Sequence, residues 1–115
     1  MGRVFIKKLK PGILKMKLIA IMCVEELSDM ARKLLQEVKV SAFSESEMKG
    51  YRLIEDNESD NWFASKHSLV SSQFFFTMCD EKKAEEILAA VNKCKLENKN
   101  NHVHAFQLNI EKFIA

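Results

Sequence analysis

The chain has 115 residues, enough for one domain with a single core and too few for two. Apolar residues make up 47% and charged residues 30%, a balance ordinary for a soluble globular chain. The formal net charge of +2 is unevenly spread: residues 1–17 carry six basic side chains and no acid, whereas the remainder holds 12 basic against 16 acidic residues, which argues against nucleic-acid binding by the folded part.

Residues 1–15 form a basic segment interrupted by Pro11-Gly12. The break opposes a continuous amphipathic membrane-surface helix. The next apolar run, residues 18–24, is seven residues long and is followed at once by Glu25-Glu26, unlike a secretory leader or a membrane span. We therefore expect a flexible extension or early-start sequence over 1–15, one domain over 16–115, and no direct membrane insertion.

Residues 17–24 (KLIAIMCV) form an unbroken apolar run and predict a strand covered on both faces. A helix is expected over 28–39, with Ser28 and Asp29 available as caps and Leu27, Met30, Ala31, Leu34, Leu35 and Val38 on one face. Residues 40–49 (VSAFSESEMK) are polar and weakly alternating, as suits an edge strand. A charged, aperiodic excursion occupies about 50–70. Residues 72–79 (SQFFFTMC) are a second apolar run, and Asp80 caps a helix running to about 95 with Ala84, Ile87, Leu88, Val91 and Cys94 as its stripe. Residues 102–110 (HVHAFQLNI) alternate again as a last strand.

The order β-α-β-β-α-β predicts an α+β, ferredoxin-like fold: a four-stranded antiparallel sheet with two helices on one face. In that topology the first and third strands are central and the second and fourth are edges. The strand character agrees, since the apolar runs are first and third. The sheet face without helices keeps half of the Ile, Phe and Met side chains, and an apolar face of that size predicts a homo-oligomer.

Chemistry-bearing residues are few. Lys49, Gly50, Tyr51 and Arg52 stand at the root of the excursion, where the glycine permits a turn or close approach and the two cations suit an anionic group. Trp62 and Phe63 are large apolar side chains in an otherwise acidic loop, and are either partner anchors or folded back on the protein's own surface. His102 and His104, two apart on a strand, share a face; with Cys94 they would begin a soft-metal site, to be completed from Cys23, Cys79 or His67. The three cysteines have no CxxC spacing and fit buried thiols of a reduced, cytoplasmic protein. No nucleophile elbow, phosphate loop, HExxH or acid–base pair is present, and a non-enzymatic role is expected.

Across about 16–114, the stretches MKLIAIMCVEELSDMARKLLQEV, VSAFSESEMKGYRL, SQFFFTMCDEKKAEEILAAVNKCK and HVHAFQLNIEKFI together resemble the PII signalling superfamily, as a divergent member. The second strand of that family ends in a valine-lysine-glycine-phenylalanine element before a long loop, the T-loop; Met48-Lys49-Gly50-Tyr51 matches it. The resemblance implies a cytoplasmic homotrimer with ligands in the clefts between subunits. It also implies a target protein, such as a membrane transporter or an enzyme, met by the loop at 50–70. Lys49, Gly50, Tyr51, Arg52, Lys95 and Lys99 are the ligand-binding candidates it offers. An adenine nucleotide is the ligand of classical members, but their signals are absent: residues 96–101 (LENKNN) contain no glycine, and the C-terminal arginines are missing. Two alternatives stand beside this reading. One is a metal-binding or metal-sensing oligomer built on His102, His104 and a thiol; the other is a small enzyme on a ferredoxin-like scaffold.

Overall fold

A computed structural model of the chain describes residues 6–8, 16–51, 69–99 and 102–114. Among these residues six strands and two helices follow one another as β1 (Ile6–Lys8), β2 (Met16–Val24), α1 (Ser28–Glu37), β3 (Ser44–Tyr51), β4 (Leu69–Asp80), α2 (Glu81–Asn98), β5 (Val103–Asn109) and β6 (Lys112–Ile114). Strands β2–β5 form one antiparallel sheet in the order β3-β4-β2-β5. The ferredoxin-like arrangement is therefore present, with the two apolar runs at its centre and the two polar strands at its edges. β1 and β6, which the periodicity does not reveal, pair antiparallel as a separate two-stranded ribbon with Ile6 opposite Ile114.

The core lies between the sheet and the helices. Alternate side chains of a strand point to opposite faces, and Ile19, Ile21, Cys23, Phe75 and Val103 pack with Ala31, Leu34 and Leu35 of α1 and Ala84, Ile87 and Val91 of α2. Phe75 is completely buried and its ring lies 6.1 Å from that of Phe43. Leu27, Met30, Val38, Leu88 and Cys94 close the edges of this core, so both predicted helical stripes face it.

Several element ends differ from the sequence-based expectation. Ser28 and Asp29 do not cap α1: a 3-10 turn, Glu25–Leu27, precedes the helix, Leu27 occupies the cap position, and the Ser28 hydroxyl donates back to the Glu25 carbonyl. The helix stops at Glu37 rather than 39, followed by Lys39 with a φ of 60°, and Val40 N–H then donates to the Leu35 carbonyl. Residues 40–43 consequently belong to a connection tucked under the core edge, with the Thr77 hydroxyl donating to the Ala42 carbonyl at 2.5 Å, and β3 begins only at Ser44. Asp80 caps α2 as expected, accepting from Lys83 N–H at 2.8 Å. That helix continues to Asn98, where Lys99 supplies the left-handed cap with a φ of 48° and donates its N–H to the Lys95 carbonyl.

The face away from the helices is apolar across both central strands. Ala20 stands opposite Phe76 and Phe106, Leu18 opposite Met78 and Leu108, and Met22 opposite Phe74 and His104. Phe76, Met78 and Leu108 are 39%, 45% and 47% exposed, whereas Ala20, set between two phenylalanines, is buried. The Phe74 and Phe76 rings, side by side on this face, have centroids 5.6 Å apart. Among the described residues the helices cover the apolar run of β4 on one face, and the other keeps exposed Phe76 and Met78.

Candidate functional site: a cleft at the root of the long loop

β3 and β4 are the strands on either side of residues 52–68, and their last pairs bring Lys49 opposite Ser71 and Gly50 opposite Val70. Beside these pairs lies a cleft of about 280 Å³ lined by Glu25, Glu47, Met48, Lys49, Ser71, Ser72 and Gln73. Glu25 arrives from the turn after β2, so three separate chain segments supply the lining. All but Met48 are polar; Glu47, Lys49, Ser71 and Gln73 share the sheet face toward the helices, whereas Met48 and Ser72, opposite each other, belong to the other face.

A charged network reaching from α1 joins one lining residue, Gln73. Arg32 grips Glu45 through both carboxylate oxygens, Nε to Oε1 at 2.7 Å and Nη2 to Oε2 at 2.9 Å, while its third nitrogen pairs with Asp29. Gln73 Nε2 donates to the same Glu45 carboxylate at 2.7 Å. Bidentate, charge-assisted contacts of this kind set geometry as well as energy. Helix α1, edge strand β3 and central strand β4 are thereby tied together through Arg32, Glu45 and Gln73. The Arg32 guanidinium holds the Glu45 carboxyl below its usual value, with the Gln73 amide adding to the effect. Glu45 in turn raises Arg32 above its ordinary value. Cys23, opposite Gln73 on β2, is pushed up to about 11 by burial, and the neighbouring Glu45 charge contributes further.

Of the ligand candidates named from the sequence, Lys49 lines the cleft. Gly50, buried, and Tyr51, 60% exposed, follow it on β3 without lining the cleft, while Lys95 and Lys99 lie at the end of α2. Arg52, Trp62 and Phe63 lie outside the described residues, as does His67. Sequence reasoning missed Glu25, Glu47, Ser71, Ser72 and Gln73. Nothing local marks them, because only strand register and the turn after β2 bring them together.

The residues named for a soft metal are divided by the sheet. His104 faces away from the helices opposite Met22, whereas Cys94 lies in α2 with its thiol donating to Met30 Sδ at 3.3 Å on the helical side. His102 precedes β5 and its carbonyl accepts from Val24 N–H. Among the described residues no three His, Cys, Asp or Glu side chains gather as a metal site would require. Among the same residues, no helix is long and apolar enough to cross a membrane.

No family model matches the sequence, nor does any curated protein. Solved structures do match in fold. CPII from Thiomonas intermedia K12, a nitrogen regulatory PII-like protein bound to ADP, AMP and bicarbonate, superposes with a TM-score of 0.62 at 11% identity, over 96% of each chain. The B. subtilis GlnK–ATP complex gives 0.61 at 10% identity, covering 84% of this chain and 83% of that one. A putative PII-like signalling protein from Thermus thermophilus gives 0.58 at 15% identity, over 84% and 87%. The likeness spans nearly the whole chain at sequence identities that leave only the backbone in common: the chain has the fold of the PII-like proteins.

Proposed function

We infer that the chain is a PII-like regulatory protein of the cytoplasm, a homotrimer without enzymatic activity of its own. It binds a small ligand at the root of the loop and reports that binding to a target protein through residues 50–70. The observation that carries this reading is the cleft itself. In a fold shared with ligand-bound PII-like structures, a polar cavity opens where the two loop-bearing strands meet the turn after β2. The trimer is supported by the apolar sheet face, whose exposed phenylalanine, methionine and leucine call for a cover of matching character.

A ligand at this position has mechanical access to the loop. It would touch Lys49 on β3 and Ser71 on β4, the residues paired across the loop's base, and so favour some loop conformations over others. A differential of about 1–3 kcal/mol between those conformations is enough for useful coupling to a target. The ligand would be held by one part of the chain and the target by another, with the Arg32–Glu45–Gln73 network as a fixed frame on β3 and β4.

The test combines mass and binding. Light scattering on the purified chain is expected to give a mass near three protomers, and a thermal-shift screen of nucleotides and small metabolites is expected to find a stabilising ligand. Lys49→Ala should remove that shift while leaving the mass unchanged. A monomer at micromolar concentration, or a ligand indifferent to Lys49→Ala, would overturn the reading.

A further inference from the structure

Two sulfur atoms from different helices meet on the helical side of the sheet, apart from the cleft. Cys94 of α2 donates its thiol to Met30 Sδ of α1 at 3.3 Å. The Asn98 amide, one turn further along α2, donates to Cys94 Sγ at 3.5 Å and to the Cys94 carbonyl at 2.9 Å. Met30 and Cys94 are both half-buried, so neither sulfur residue is sealed in the core. On their inner side they line a gap too narrow for a water molecule, whose other walls, among them Ile21, Leu34, Val91 and Val103, are apolar. The chemistry of such a pair is restrictive. Thiolate and thioether are soft donors and select copper(I) over harder ions. Charge agrees: a thiolate with a monovalent ion is neutral overall, whereas a divalent ion leaves a net positive charge against apolar walls. Ligand number agrees as well. A structural zinc site takes four ligands, and among the described residues no three His, Cys, Asp or Glu gather; a monovalent d10 ion is satisfied by fewer donors. Methionine is unbranched with three rotatable bonds, so its sulfur can swing far enough from Cys94 to admit an ion between them.

We propose that Cys94 and Met30 form a site for a soft monovalent metal ion, copper(I), held between α1 and α2. On binding, the Cys94 thiol releases its proton to solvent and its sulfur bonds the metal, while Met30 Sδ donates a lone pair. No electron changes hands. Asn98 is a positioning residue: the N–H that now meets the thiol sulfur would support and orient the thiolate. The site stands independently of the regulatory cleft and of the proposed assembly, since both sulfurs pack against the core beneath the helices.

Anaerobic competition of the full chain against the chromogenic chelator bathocuproine disulfonate, with ascorbate keeping copper reduced, tests the assignment. The wild type is expected to withdraw copper(I) from the chelator, and Cys94→Ser to lose that ability. Met30→Leu and Asn98→Ala should each weaken binding by about ten-fold or more. Met30→Leu conserves side-chain volume, so its circular dichroism should match that of the wild type. Silver(I), a probe of the same charge and softness, should protect Cys94 of the wild type from iodoacetamide, as read by peptide mass mapping. Failure of the wild type to withdraw copper overturns the inference, and so does withdrawal that survives Cys94→Ser. An affinity unchanged in Met30→Leu overturns it by showing that the thiol acts alone. Should Cys94→Ser lose its fold, the silver experiment decides on the native chain: Cys94 labelled equally with and without silver overturns the site. Zinc held more tightly than copper(I) through Cys94 would overturn the choice of a monovalent ion, and the inference with it.

Discussion

Glu45 belongs to an exposed edge strand, yet its carboxylate accepts from two nitrogens of Arg32 and from Gln73. Its folded pKa is lowered by those partners. The stabilisation it contributes is therefore complete above the unfolded value of about 4.3, and is lost as the pH falls from there through the depressed folded value. Melting temperatures followed from pH 7 down to pH 3 should show a steeper acid loss for the wild type than for Glu45→Gln, which has no such proton to take up. Cys23 behaves in the opposite sense. Burial raises it to about 11, so the thiol is neutral at physiological pH and its share of stability holds below the unfolded thiol value. That share declines as the pH rises through the folded value. Iodoacetamide at pH 7.5 should consequently leave Cys23 unlabelled in the folded chain and modify it only after denaturation, which peptide mass mapping would show directly.

At the scale of elements, β4 carries two neighbouring phenylalanines with opposite duties. Phe75 is wholly enclosed between sheet and helices, so Phe75→Ala should cost about 3–5 kcal/mol in urea denaturation. Asp80→Ala, which removes the N-cap of α2, should cost about 1 kcal/mol. The sequence showed β2 and β4 clearly because each is an unbroken apolar run, one face of which packs on the helices while the other forms the open apolar face, and it showed α2 because a capping aspartate stands directly before a helical stripe. It showed the start of α1 and of β3 poorly. Ser28 looks like a cap, but the 3-10 turn ahead of it had already changed the entry angle, and Val40 and Phe43 look like strand residues although they fill the core edge from a connection. β1 and β6 had no period to detect, being three residues each. Of the cleft, Lys49 was legible from its place beside Gly50, whereas Glu25 and the Ser71–Gln73 run acquire meaning only through register, which no single stretch of sequence encodes.

For the whole molecule, the proposed trimer rests on the sheet face away from the helices. Phe76→Asp places a charge beside Ala20 and Phe74 on that face without touching the core. It should therefore reduce the solution mass to that of one chain while leaving the circular dichroism unchanged. A variant whose mass matches that of a multimeric wild type would move the proposed contact elsewhere. The ribbon of β1 and β6 has a different consequence. Two strands of three residues each form too short a ladder to hold together strongly by themselves, whereas Ile19, Ile21 and Phe75 open only when the whole core does. The chain should thus come apart in order, its paired ends first and its centre last. Hydrogen exchange would display this as a gradient among the paired strands, with the amides of β1 and β6 replaced before those of β2. The two remote ends are then a clasp that opens and closes many times within a single lifetime of the fold.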